Sequence, residues 1–222
     1  MDFIFMLTQG DRTVPDCLDV VARIAALGLG HIGFKDVGVE APTLAALNAA
    51  IKATGATSYM EVVSESREAT LASARTARAI GVDRLLGGTD VDAVMTILAA
   101  SAIRYYPFVG FPEGHPTALR GGPADVEAHC RRAMAKGAAG VDLLAYRAVE
   151  AEPLALVAAA REGLGEGRLV VAGSIDSAAR IGAVAAAGAD AFTIGSAIFD
   201  GSFAPGEAAI EGRLRRVLGA CA

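Results

Sequence analysis

Short runs rich in β-branched, aromatic and leucine residues alternate with longer alanine-rich runs along the whole chain, and this rhythm restricts the fold more than any other feature. The strand candidates are residues 3–7, 32–37, 58–63, 84–87, 104–109, 141–145, 169–172 and 191–194. Between them, apolar residues recur three and four positions apart, as an amphipathic helix requires. Examples are Leu18, Val21, Ala22 and Ala25 in the first helical run, Ile181, Val184 and Ala185 in the seventh, and Ile210, Leu214 and Val217 in the last. Asp16, Ser66, Asp90 and Asp176 occupy N-cap positions, and Gly28, Gly55, Gly81, Gly137 and Gly188 stand where a helix must stop before the next strand. Strict alternation calls for parallel strands joined by crossover helices, and the unbroken apolar run at 169–172 calls for burial on both faces. Eight units share 222 residues, which leaves about 28 for each, enough for a strand, a helix and two short loops. The expected fold is a single-domain α/β (β/α)8 TIM barrel over residues 1–222, with a doubly wound open sheet as the competing arrangement. No Pro/Ser-rich linker divides the chain.

Composition narrows the function classes. With 53% hydrophobic and 20% charged residues the chain is globular rather than disordered. Its net charge of -5 and pI near 5.2 speak against a nucleic-acid partner, which needs a basic face. No uninterrupted apolar stretch reaches the roughly 18 residues of a membrane span, so no membrane partner is expected. Met1-Asp2-Phe3 leads into an apolar run without a basic segment, and a cytoplasmic location is the expectation. Cys17, Cys130 and Cys221 lie far apart, with no zinc-ligand spacing, so neither a metal nor a cofactor is expected. Gly28-Leu29-Gly30-His31-Ile32-Gly33 satisfies GxGxxG but follows a helix and precedes a strand, the reverse of the dinucleotide fingerprint; it reads as a helix stop feeding the second strand. So alanine-rich and apolar a chain is compatible with a homo-oligomer.

In a barrel, chemistry sits at the C-terminal ends of the strands. There the last quarter carries Val171-Ala172-Gly173-Ser174-Ile175 and, one unit later, Thr193-Ile194-Gly195-Ser196-Ala197. Two strands ending in Gly-Ser let the backbone approach a ligand and turn amide hydrogens toward it, and the segment after Gly195 has room for one helical turn. Amides at a helix start attract anions, and phosphate sites after strands seven and eight recur in barrels. A phosphate held by Gly173, Ser174, Gly195 and Ser196 is the functional reading; glycines serving only tight turns are the plain one.

Residues 168–203, from Arg168-Leu169-Val170-Val171-Ala172-Gly173-Ser174 to Ile194-Gly195-Ser196-Ala197-Ile198-Phe199, resemble the phosphate-gripping end of the ribulose-phosphate-binding barrels. That superfamily includes phosphosugar epimerases and isomerases, hexulose-phosphate synthase and keto-gulonate-phosphate decarboxylase. The resemblance implies a small phosphorylated metabolite as partner, held by the backbones of those four residues. Leu144-Ala145-Tyr146-Arg147 also resembles the segment where the decarboxylase and synthase branch places a histidine or arginine at the mouth, which makes Arg147 a substrate-clamp candidate. The magnesium-binding Asp-x-Lys-x-x-Asp of that branch has no counterpart in Ser58-Tyr59-Met60-Glu61-Val62-Val63. Nor do the three histidines form the strand-end His/Asp pairs of the metal-dependent epimerases. No single member is implied.

The remaining strand ends offer ionisable residues. Lys35 ends the second strand and Glu61 lies in the third, among apolar neighbours where an unpaired charge is costly. They are either a structural ion pair or the acid/base machinery. Adjacent residues of a strand face opposite sides, so Lys35 is expected inside and Asp36 on the following loop, capping or reaching substrate. Asp11, after strand one, is a candidate base, with Arg12 beside it as a candidate partner for an anion. The glycine- and proline-rich stretch 110–123 follows strand five and reads as a lid, with His115 a candidate acid or base, or as a plain surface loop. The function expected is isomerisation or epimerisation of a phosphorylated sugar or sugar acid by proton transfer next to a carbonyl. A Schiff-base or enediolate lyase is the alternative, and a non-catalytic barrel that binds a phosphorylated metabolite is the second.

Overall fold

The computed structural model describes residues 1–63, 66–114 and 116–221. Eight strands form one all-parallel sheet: β1 (Asp2–Met6), β2 (His31–Lys35), β3 (Thr57–Val62), β4 (Arg84–Gly87), β5 (Arg104–Tyr106), β6 (Gly140–Leu143), β7 (Arg168–Val171) and β8 (Ala191–Ile194). β1 pairs with both β2 and β8, and the sheet runs in sequence order from there to β5 and β6 at its two ends. Those ends meet. Ala139 N–H donates to Tyr105 O at 2.9 Å, Asp142 N–H donates to Pro107 O at 2.9 Å, and Phe108 and Asp142 form a parallel bridge. The open sheet is thereby ruled out, and the chain is a (β/α)8 barrel.

The helices that cover it are α1 (Cys17–Ile24), α2 (Ala41–Ala53), α3 (Arg67–Ile80), α4 (Val91–Leu98), α5 (Pro123–Ala135), α6 (Pro153–Leu164), α7 (Ala178–Ala186) and α8 (Ile210–Ala220). Period-two alternation divides each strand between two cores. Phe3, Phe5, Phe34, Met60, Val141, Val171 and Phe192 face the helices, whereas Ile4, Met6, Tyr59, Leu86, Tyr106 and Val170 fill the barrel. The Gly28 to Gly33 segment does what its order implies. Gly28 ends a 3₁₀ turn in the left-handed conformation, and Gly33 lies inside β2, where a Cβ would run into the Met6 side chain.

At the N-terminal end the barrel is filled by polar rings and cations. The Tyr59 hydroxyl lies 3.1 Å from His31 Nδ1, the Arg84 guanidinium sits 5.2 Å from the Tyr59 ring centre, and Arg168 bonds Asp2. The mouth is therefore the C-terminal end.

Local expectations shift in four places. The buried stripe of α1 is Cys17, Val20, Val21 and Ile24, while Leu18 is 40% exposed: the complete i, i+3, i+4, i+7 set begins one residue earlier than the one expected. Asp16 makes no side-chain cap, and α7 is capped by the Ser177 hydroxyl, which accepts from Arg180 N–H, instead of by Asp176. β5 stops at Tyr106 because Pro107 has no N–H to give the ladder. β6 stops at Leu143, and Arg147 lies in a 3₁₀ turn (Ala145–Arg147) rather than on a strand.

Candidate active site

Two extended strands, a tight hairpin and a 3₁₀ turn bring four ionisable side chains together at the barrel mouth. Lys35 and Glu61 are register partners on β2 and β3, and strand parity turns both inward beside Gly33 and Tyr59. Asp11 comes from the turn of a small hairpin (Thr8–Gln9 with Arg12–Thr13), where Gly10 and Asp11 have φ of 57° and 58°. This is the type I′ arrangement, which takes positive φ at both central positions, so Asp11 holds a conformation that most residues avoid. The hairpin is fastened to β2 through Thr13: its hydroxyl donates to Lys35 O and accepts from Lys35 N–H, both at 2.8 Å.

Lys35 Nζ lies 2.7 Å from Asp11 Oδ1 and 3.1 Å from Glu61 Oε1. Arg147 grips Asp11 from the other side, its Nη1 and Nη2 each 2.8 Å from a carboxylate oxygen. Lys35, Asp11 and Glu61 are all buried. Burial works against the Lys35 ammonium, but Glu61 and Asp11 outweigh it and hold the lysine pKa above its ordinary value. Burial likewise pushes Asp11 up, and the hydrogen bonds from Arg147 with the Lys35 charge overturn this, leaving its carboxyl well below the usual range. The resting arrangement is a protonated lysine between two acids.

A fifth group escaped notice in the sequence. Asp142 on β6 sits between the outward Val141 and Leu143, so it points into the barrel, and it is fully buried. Neither carboxylate oxygen has a hydrogen-bond partner among the described residues. Burial, with the charge of Glu61 added, drives its pKa well above the ordinary value despite the opposing fields of Lys35 and Arg147. Its buried, unpartnered carboxyl is thus biased toward the protonated form. An acid in the middle of an apolar strand run was the signal available; the parity of Val141 and Leu143 decides it.

Lys35, Glu61, Asp11 and Arg147 share a cavity of about 300 Å³ with Gly173, Ser174, Gly195 and Ser196. Gly173 and Ser174 both take positive φ, 77° and 56°, and a Cβ on Gly173 would lie 2.6 Å from Arg147 Nε. After Gly195 comes a one-turn helix (Ser196–Phe199), whose first N–H groups have no intrahelical partner. Ser196 Oγ also accepts from Gly10 N–H at 3.3 Å, linking this turn to the Asp11 hairpin.

Other expected residues stand elsewhere. Arg12 is exposed; the cations on Asp11 are Lys35 and Arg147 instead. Asp36 turns away from the mouth, because its carboxylate accepts from Val63 N–H at 3.1 Å and from the Ser73 hydroxyl, tying β2 to β3 and α3. His115 lies outside the described residues. The stretch expected as a lid contains a β-hairpin (Phe111–Glu113 with Ala118–Arg120), fastened by Arg120 to Glu113 and Glu150. No group of three or more His, Cys, Asp or Glu is placed to hold a metal ion among the described residues.

The architecture has many solved counterparts. Orotidine 5'-phosphate decarboxylase from Pyrococcus horikoshii superposes with a TM-score of 0.68 at 14% identity, over 99% of this chain and 98% of that one. A tryptophan synthase complex from Pyrococcus furiosus gives 0.70 at 13% identity, over 98% of each chain. Thiamine phosphate pyrophosphorylase from Pyrococcus furiosus gives 0.63 at 15% identity, over 99% of this chain and 96% of that one. At such identities the likeness establishes the barrel fold. No protein-family model matches the sequence, and no curated protein matches it. No helix among the described residues is long and apolar enough to cross a membrane.

Proposed function

We propose that this barrel is an enzyme that moves a proton next to the carbonyl of a small phosphorylated sugar or sugar acid, as an isomerase or epimerase does. The observation that carries the reading is Lys35, a buried ammonium 3.1 Å from the Glu61 carboxylate, in the same cavity as the two Gly-Ser turns. The phosphate rests on the backbone amides of Gly173, Ser174, Gly195 and Ser196. These neutral donors suit the site, since the arginine beside them is already committed to Asp11. The carbonyl lies toward Lys35, whose charge stabilises the oxygen as it becomes an enolate. Glu61 takes the proton from the neighbouring carbon and returns it to the adjacent position or the opposite face. Asp11, itself gripped by Arg147, holds Lys35 in place.

Lyase chemistry is the second reading, supported by the decarboxylase name among the fold neighbours. Its Schiff-base form needs a neutral Lys35 amine, whereas two carboxylates hold Lys35 protonated. The enediolate form uses the same ammonium and base. A sensor that only binds a phosphorylated metabolite does not require buried opposite charges around the mouth. Turnover assays with phosphorylated aldoses, ketoses and keto acids test all three. Conversion should be lost in Lys35→Ala and Glu61→Gln. A borohydride-stable adduct on Lys35 would move the assignment to the Schiff-base lyase, binding without conversion would favour the sensor, and full turnover by Lys35→Ala would exclude the role given to Lys35 in both enzymatic readings.

A further inference from the structure

At the end of the barrel opposite the mouth, the segments that lead into β3, β4 and β5 wall a cavity of about 580 Å³. Its lining falls within residues 52–57, 78–84 and 101–104, all of them described. Lys52, Arg78, Arg84 and Arg104 line it, against one carboxylate, Asp83. A chain of net charge -5 thus carries a cationic hollow at the N-terminal end of its barrel.

Ordinary structural duties account for two of the four cations. Lys52 Nζ donates to Gly81 O at 3.1 Å and to Asp83 Oδ1 at 2.8 Å, and Arg78 Nη1 donates to Ile97 O at 2.6 Å. Both serve the carbonyl ends of α3 and α4, where a cation is favourable. Asp83 is committed as well: its Oδ2 accepts from Ser58 N–H at 2.9 Å and from the Ser58 hydroxyl at 3.1 Å.

Arg84 and Arg104 have no such duty. They are register partners on β4 and β5, and parity puts them on the same side of the sheet as Leu86 and Tyr106. Like charges directly opposite on neighbouring strands are destabilising. Neither guanidinium is paired with a carboxylate among the described residues. The Arg84 charge rests instead against the rings of Tyr59 and Tyr106, 5.2 and 5.9 Å from their centres, and its Nη1 has no hydrogen-bond partner there. Arg104 is exposed.

We infer that Arg84 and Arg104, with Lys52 and Arg78 at the rim, form a binding site for a small, multiply charged oxyanion of the phosphate class, separate from the site at the mouth and independent of the function proposed for it. A guanidinium fork matches the oxygens of such an ion, and two neighbouring forks suit a diphosphate better than a single-atom anion. The bound charge offsets the repulsion between the two arginines. The volume lies within the range of small-ligand pockets, about 300 to 1,000 Å³. An extended polyanion such as a nucleic acid would meet the acidic remainder of the surface, so the ligand is a small ion held in the hollow.

The test is a titration of nitrogen-15-labelled protein with inorganic pyrophosphate, followed amide by amide by NMR. Amides of residues 55–57, 81–84 and 101–104 should shift and saturate. Arg104→Met, at an exposed position, should weaken that binding about tenfold, and Arg104→Glu should abolish it. Amides at 173–174 and 195–196 report the proposed phosphate grip in the same spectra, so the two sites stand or fall separately. No saturable shift at the N-terminal end, an equal response to sodium chloride at the same ionic strength, or equal affinity in wild type and Arg104→Met would overturn the inference.

Discussion

Asp11 and Asp142 are both buried at the mouth of the barrel, yet their surroundings push them in opposite directions, and stability should report the difference. Asp11 is held below its ordinary pKa, because Arg147 and Lys35 outweigh the effect of burial. Its contribution is present above the unfolded carboxyl pKa, about 4, and is lost as pH falls toward the depressed folded value. Asp11→Asn should cost about 2–3 kcal/mol at pH 7, because half-buried Arg147 loses its carboxylate and buried Lys35 is left with Glu61 alone, and urea denaturation should show the deficit shrinking on acidification. For Asp142, burial raises the folded pKa, so folding must suppress an ionisation that the unfolded chain undergoes above about pH 4. Asp142→Asn should therefore be more stable than wild type at pH 7, with the advantage vanishing below the ordinary carboxyl pKa. A variant that gains no stability at neutral pH would mean that burial does not raise the Asp142 pKa.

The strand ends and the turns beyond them make the site, and glycines at those points differ in what they do. Gly195 has ordinary negative φ, but a Cβ there would meet the Thr8 hydroxyl, Thr8 O at 2.8 Å and Met6 O at 3.1 Å. Backbone cannot easily give way, so Gly195→Ala should cost about 1–3 kcal/mol and sharply weaken binding of phosphate esters. Gly28 has φ of 64° with open space around it, so Gly28→Ala should cost about 1 kcal/mol through its left-handed backbone alone and leave KM unchanged. Paired urea titrations and phosphate-ester KM values for the two variants separate these cases. The elements themselves were legible in the sequence because β-type runs and helical stripes alternate without exception. Phase and edges were less so: α1 begins its buried stripe at Cys17, since the packing surface beneath it, rather than residue hydrophobicity, decides whether Cys17 or Leu18 turns inward. Asp176 and Ser177 are both good caps, and backbone geometry chose the serine.

At the scale of the whole molecule, an acidic chain of net charge -5 is proposed to bind an anion. Its mouth reconciles the two locally: Lys35 and Arg147 are balanced by Asp11 and Glu61, and backbone amides are left to meet the phosphate. The ring of (β/α) units was legible because parallel strands at this spacing have few ways to bury both faces. The site was legible only at strand ends where charged residues interrupt apolar runs, as at Lys35 and Glu61. Contacts between distant segments were not: Arg147 reaches Asp11 across 136 positions of sequence, and Asp142 is defined by which way its strand turns. The most direct measurement of the proposed chemistry is proton NMR of phosphorylated ketoses, aldoses and keto acids incubated with the protein in D2O. Deuterium should enter the carbon next to the carbonyl with wild type and fail to enter with Glu61→Gln; a substrate that binds and turns over without exchange, or exchange that persists in Glu61→Gln, would contradict proton transfer by Glu61 at this mouth.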